Sequence, residues 1–202
     1  MAAALPPVKV PALERLSQLS ILYLKQTSKN YDGNTFAVFG AADEVVLTMK
    51  EVVPELIYVG RPRRPFTFHG FDNMGMKLFT FTRSLESAIY THKVELFMDE
   101  KLVNVIQVAP TMMTPIFNIN DGLNNPILRI KGKKTDFNYF QLQTKDKAGI
   151  GAIQRLYPSC STENYTLIDN YTISVPVDLA VSYKIAVIVA CVYIDFIFHE
   201  GK

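Results

Sequence analysis

A chain of 202 residues, 49% of them apolar, can bury one sizeable core and is too short for several independent ones. Its 21 basic and 19 acidic side chains leave a formal net charge of +2, which excludes a global field selecting nucleic acid or membrane and confines any electrostatic site to local clusters. Two cysteines, Cys160 and Cys191, exclude a disulfide scaffold and point to a reducing, cytosolic setting.

Residues 1–10 read as a short proline-containing lead-in, and a single domain is expected from 11 to 202. The lead-in has no apolar leader, and Ala2 stands where myristoylation requires Gly. Secretion and N-terminal lipidation are therefore not expected, and the N-x-T sequons at Asn164 and Asn170 should be silent. Pro11 suits a first helical turn, and Leu13, Leu16 and Leu19 follow at helical spacing, predicting one short helix. From Ser20 to Tyr171 the pattern becomes short runs of Phe, Ile, Val, Thr and Tyr separated by turn residues, about ten to twelve strands in all. Phe66 to Phe71 leads into the turn Asp72-Asn73-Met74-Gly75, and Met76 to Arg83 returns. Further hairpin turns are predicted around Asp99-Glu100-Lys101, Asp121-Gly122 and Lys145-Asp146-Lys147. Few helix signals interrupt them, which favours a closed antiparallel barrel or a sandwich over a parallel α/β sheet.

The chain then changes character, and a helix is predicted over residues 177–200. Ile185 to Ile194 are ten uninterrupted apolar residues, flanked by Lys184 and Asp195. A membrane span needs roughly 20 apolar residues, so crossing a bilayer would bring both charges into hydrocarbon. A helix apolar all round is satisfied equally well by a protein shell, and a barrel of about twelve strands can supply one. Lys184 and Asp195 stand eleven apart, about three turns, and so on nearly the same face. Val189 lies midway between them, and Cys191 is expected to be a buried free thiol.

Two basic clusters are candidate contacts for anionic headgroups: Arg61, Arg63 and Arg64, and Arg129 with Lys131, Lys133 and Lys134. The plain alternative for both is a solvated loop. His69, His92 and His199 are far apart in sequence and read as lone surface or hairpin histidines rather than metal ligands. No serine or cysteine sits in a nucleophile motif, and neither Gly149-Ile150-Gly151 nor Gly132-Lys133-Lys134-Thr135 has phosphate-loop spacing, so no nucleotide is expected.

Several blocks give the chain a family likeness. They are Pro11-Ala-Leu-Glu-Arg-Leu-Ser-Gln-Leu, Arg64-Pro-Phe-Thr-Phe, Asp72-Asn-Met-Gly, Val105-Ile-Gln, and Asp169-Asn-Tyr-Thr-Ile-Ser-Val-Pro-Val-Asp-Leu followed by Lys184 and Ala190-Cys-Val-Tyr-Ile-Asp-Phe-Ile-Phe. In this order they resemble the phospholipid scramblase family. The resemblance implies a Tubby-like fold, a twelve-stranded barrel around a central C-terminal helix. It also implies ATP-independent, bidirectional, calcium-stimulated movement of phospholipids between leaflets at the cytoplasmic face of a membrane, the plasma membrane being expected. The alternative, from another class, is a Tubby-like barrel that binds phosphoinositides or proteins and moves no lipid. The expected partners are phospholipids and an anionic membrane surface; no nucleic acid is expected, and a homo-oligomer is left open.

Some family features are absent. Ser84 to Lys93 contains no acylation cysteine, Pro6, Pro7 and Pro11 form no SH3 or WW ligand, and Gly151 to Tyr157 carries one positive charge where some members have a nuclear-import signal. The family's twelve-position calcium loop maps onto Leu167 to Asp178. Leu167 lacks the first-position carboxylate, Thr172 replaces the turn glycine, and Asp169 and Asp178 alone remain of the acidic ligands. That leaves at most a weak calcium site. The competing reading makes Ile173-Ser-Val-Pro a strand end and Asp178 the cap of the following helix.

Overall fold

The structure is a computed structural model that describes residues 10–30, 33–52, 64–111, 114–156 and 170–199. Helix α1 (Pro11–Gln18) precedes strands β1 (Ile21–Asn30), β2 (Gly33–Phe39), β3 (Val45–Glu51), β4 (Phe66–Phe71), β5 (Lys77–Arg83) and β6 (Lys93–Met98). They are followed by β7 (Lys101–Val108), β8 (Ile116–Asp121), β9 (Pro126–Gly132), β10 (Tyr139–Thr144), β11 (Gly149–Leu156), β12 (Asn170–Ser174) and helix α2 (Val181–Phe198). Each strand pairs antiparallel with its neighbours in sequence, and β12 pairs with β1 from Ile21↔Ser174 to Lys25↔Asn170. The sheet therefore closes, as expected, into a twelve-stranded barrel with no free edge.

Side-chain alternation decides which face of each strand is wet. On β4, Phe66, Phe68 and Gly70 point inward while Thr67 and His69 are half-exposed outside; on β5, Phe79, Phe81 and Arg83 take the inner face. Gly70 is required by its partner: a Cβ there would lie 2.2 Å from the Phe79 ring. The predicted turns form with the chemistry that their residues imply. Asp72 Oδ1 accepts the amides of Met74 (2.9 Å) and Met76 (2.8 Å) around Gly75 at φ +82°, and Asp121 Oδ1 accepts those of Leu123 (2.9 Å) and Asn125 (2.8 Å). One element is not among those predicted, a π-helical turn over Ser87–Thr91, closed by the His92 amide on the Ser87 carbonyl at 2.7 Å.

An all-antiparallel meander alternates its connections between two ends. The β2–β3, β4–β5, β6–β7, β8–β9 and β10–β11 turns share one end with α1 and the start of α2, and the remaining connections share the other with the end of α2. The helix α2 fills the lumen. Every residue from Lys184 to Phe196 is buried, against an aromatic wall in which Phe68 and Phe81 stack at 4.9 Å and Phe66 lies 4.6 Å from Phe196. The helix is shorter than predicted. Pro176 to Leu179 form a turn closed by the Leu179 amide on the Pro176 carbonyl (3.2 Å), and the N-cap is Ala180, with no side-chain cap. Asp178 is thus not the capping residue, because the turn holds it two positions too early.

Candidate membrane-facing site

Lys184 and Asp195 are both inside the barrel, at opposite ends of the helix interior. The Lys184 ammonium reaches the carbonyls of Leu16 (3.2 Å), Ser17 (2.7 Å) and Leu19 (2.7 Å) at the end of α1, and that of Val177 (2.9 Å). Unpaired carbonyls at a helix C-terminus carry partial negative charge, so α1 acts as the counter-charge for Lys184. Burial lowers the Lys184 pKa, and the Asp178 carboxylate opposes the shift. Asp195 is met by side chains: the Tyr171 hydroxyl on β12 donates to its Oδ1 at 2.7 Å. Val189 and Cys191 lie between, fully buried, and burial first, then Asp195, raises the Cys191 thiol well above its ordinary value. The helix is long and apolar enough to cross a membrane, yet most of it is enclosed by the barrel.

The two basic clusters separate. Lys131, Lys133 and Lys134 are exposed at the end opposite α1, and Lys133 lies 5.0 Å from the Tyr139 ring centre. Arg64 does not belong with them. It is buried, forms a two-pronged ion pair with Glu51 (Nη2 to Oε2 at 2.9 Å) and lies 5.0 Å above the Phe196 ring. Position 64 has the parity of Phe66 and Phe68, so the register turns it inward. Arg61 and Arg63 lie outside the described residues, as do Cys160 and Asp169. Asp178 is exposed in the β12–α2 connection. Among the described residues no group of three or more His, Cys, Asp or Glu could hold a metal ion.

The histidines are not uniformly superficial. His69 Nδ1 pairs with the Thr80 hydroxyl at 3.0 Å, whereas His199 is buried at the end of α2, accepting from Arg155 at Nδ1 (3.1 Å) and donating from Nε2 to the Phe137 carbonyl (3.3 Å). Sequence reasoning also missed Arg83, buried 5.3 Å from the Tyr193 ring centre with Nη2 donating to the Ala88 carbonyl (3.3 Å). Its signal was available, since it continues the inward register of Phe79 and Phe81. Arg64, Arg83, Asp195 and His199 place buried charge and polarity at the end away from α1.

The architecture is a closed antiparallel barrel around an apolar helix. The Scramblase family profile matches residues 32–201, from β2 through the end of α2, and the chain belongs to that family. It is 26% identical over 225 residues to phospholipid scramblase 2 of Bos taurus, covering 99% of this chain and 75% of that protein. It is 27% identical over 232 residues to phospholipid scramblase 1 of Homo sapiens, covering 100% and 70% respectively. Phospholipid scramblase family member 5 of Homo sapiens is 26% identical over 224 residues, covering 97% and 80%. A solved Arabidopsis thaliana structure aligns with a TM-score of 0.49 at 13% identity over 88% of this chain and 95% of that one.

Proposed function

We propose that this protein is a phospholipid scramblase: a translocator, not a bond-making catalyst, that lets phospholipids pass in both directions between leaflets without ATP. The observation that carries the reading is the unbroken family match from β2 to the end of α2, joined by relatives that bear the scramblase name and align along nearly the whole chain. Its place is at the cytoplasmic face of a membrane, the plasma membrane by preference. Lys131, Lys133 and Lys134 gather anionic headgroups, at about 1 kcal/mol per basic residue near a charged surface. Any calcium response is weak and centred on Asp169 and Asp178, because two carboxylates fall short of the six to eight oxygens that calcium favours.

The enclosure of α2 favours a second reading, a peripheral barrel that binds anionic lipid and moves none. Liposomes carrying fluorescent lipid separate the two, since dithionite bleaches only the outer leaflet. Scrambling appears as loss of signal beyond about half without nucleotide. Protein that binds the vesicles yet leaves the inner-leaflet signal protected, with and without calcium, would favour the peripheral barrel.

A further inference from the structure

We propose that the barrel docks end-on to an anionic phospholipid bilayer, through the rim opposite α1, so that the C-terminal end of α2 faces the lipid. This rests on the membrane part of the proposed function and adds an orientation to it. The two ends differ in charge. Among the described residues whose side chains are exposed, the rim opposite α1 carries Lys50, Lys131, Lys133 and Lys134 against a single acid, Glu86. The α1 end is mixed: five exposed cations there face six exposed carboxylates, Asp99, Glu100, Asp146 and Asp178 among them. A seven-residue strand at about 3.3 Å per residue, tilted by about 35–45° as in a barrel, holds the ends roughly 16–19 Å apart, about twice the ~8 Å Debye length at physiological salt. Among the described residues, each end therefore presents its own exposed charge to a surface.

The rim also carries what a bilayer needs and a nucleic acid does not. Leu85 (46% exposed) and Ile89 (54%) lie in the β5–β6 connection, Ile89 within its π-helical turn, Val52 (45%) follows β3, and Phe137 (39%) lies in the β9–β10 connection. Aliphatic side chains spaced among lysines can enter the headgroup layer while the ammonium groups meet phosphates. Base stacking would call instead for aromatic and arginine faces. Met74 (81%) and Leu123 (85%) at the α1 end are even more exposed, but the nearly balanced exposed charge of that end offers an anionic surface no net attraction. Phe137 gives the rim a direct link to the lumen. Its ring stacks on Phe198 of α2 at 4.8 Å, and its carbonyl accepts from His199, so a bilayer that displaces Phe137 touches the end of the core helix.

The chain contains no tryptophan, so a single introduced indole reports its own location without background. Full-length Ile89→Trp and Leu123→Trp proteins are mixed with phosphatidylcholine vesicles, with and without phosphatidylserine, some of the lipid being brominated to quench indole on contact. The orientation predicts a blue shift and quenching for Ile89→Trp on phosphatidylserine vesicles, and neither for Leu123→Trp. In co-sedimentation, Lys131→Gln/Lys133→Gln/Lys134→Gln should bind those vesicles about 100-fold more weakly, at about fivefold per lysine, while Lys101→Gln/Lys145→Gln/Lys147→Gln at the other end binds as the parent does. Quenching of Leu123→Trp instead, equal quenching of both, or no vesicle binding would overturn the proposal. So would retention by nucleic acid without vesicle binding. Dithionite bleaching on the same vesicles keeps the two ideas apart: scrambling without rim quenching sinks the orientation alone, and rim quenching without scrambling sinks only the translocation.

Discussion

Lys184 and Asp195 lie on one face of one helix, both out of water, and the protein satisfies them by different means. Lys184 is held by backbone: four carbonyls, three from the end of α1, surround its ammonium. Asp195 is held by a side chain of the barrel wall, the Tyr171 hydroxyl, in a region where Arg64, Glu51 and Arg83 are also buried. The difference shows how an apolar helix can carry charge inside a barrel. At the α1 end a small accessory helix supplies the counter-charge through the carbonyls at its C-terminus. At the other end the wall itself is polar, and that is the end whose rim carries the exposed lysines.

The comparison breaks most severely where neither solution is at hand. Val189, midway between the two charges, is fully buried in the ten-residue apolar run of the helix, so Val189→Asp should leave an unpaired buried charge costing several kcal/mol against a total stability of about 5–15. The expected result is a variant that does not fold cooperatively, as read by denaturant melts. Next comes Arg64→Ala, which strands Glu51 in the interior and should destabilise by about 3–5 kcal/mol. A fall of that size in chemical denaturation, with vesicle binding of the remaining folded protein unchanged, separates Arg64 from the rim lysines.

Lys184→Met tests the α1 solution. It keeps the side chain's volume but takes the ammonium away from the carbonyls of Ser17, Leu19 and Val177, at about 1–3 kcal/mol for each buried group left unsatisfied, while the Leu16 carbonyl keeps the Leu19 amide. Limited proteolysis should then cut first at α1. Tyr171→Phe removes one hydrogen bond to a charged acceptor, about 1.5–3 kcal/mol, and should leave α1 protected. The smallest effect is in pH. Because burial lowers the Lys184 pKa, the unfolded chain keeps its proton to higher pH than the folded one, so stability should rise as pH climbs between the folded value and 10.5. Melts of the parent and of Lys184→Met across that range should differ by this slope, which the variant lacks.

Much of the fold is legible in the chain because strand alternation, turn residues and an uninterrupted apolar helix are local signals. Asp72 and Asp121 announce hairpins that the structure builds with the same Oδ1 contacts. Parity was the signal left unused. Arg64 sits in sequence beside Arg61 and Arg63 and reads as part of a surface cluster, yet its register with Phe66 and Phe68 turns it inward onto Glu51. The pairing itself was not legible, since Glu51 lies thirteen residues away on another strand. The start of α2 was misplaced because Val177-Asp178-Leu179 is compatible with a helix, and only the turn after Pro176 shows otherwise. The π-helical turn has no periodicity to detect, and the rim is an assembly of separate connections that closure of the barrel brings to one end.

Enclosure of α2 by the closed barrel can be read at Cys191. In a Cys160→Ser background the remaining thiol is fully buried at the middle of the helix, with its pKa raised by that burial. A water-soluble disulfide reagent should leave Cys191 unmodified in the folded protein and modify it completely in denaturant, at a rate under native conditions set by global unfolding. Rapid modification of Cys191 in protein that remains folded would mean that the barrel does not enclose the helix.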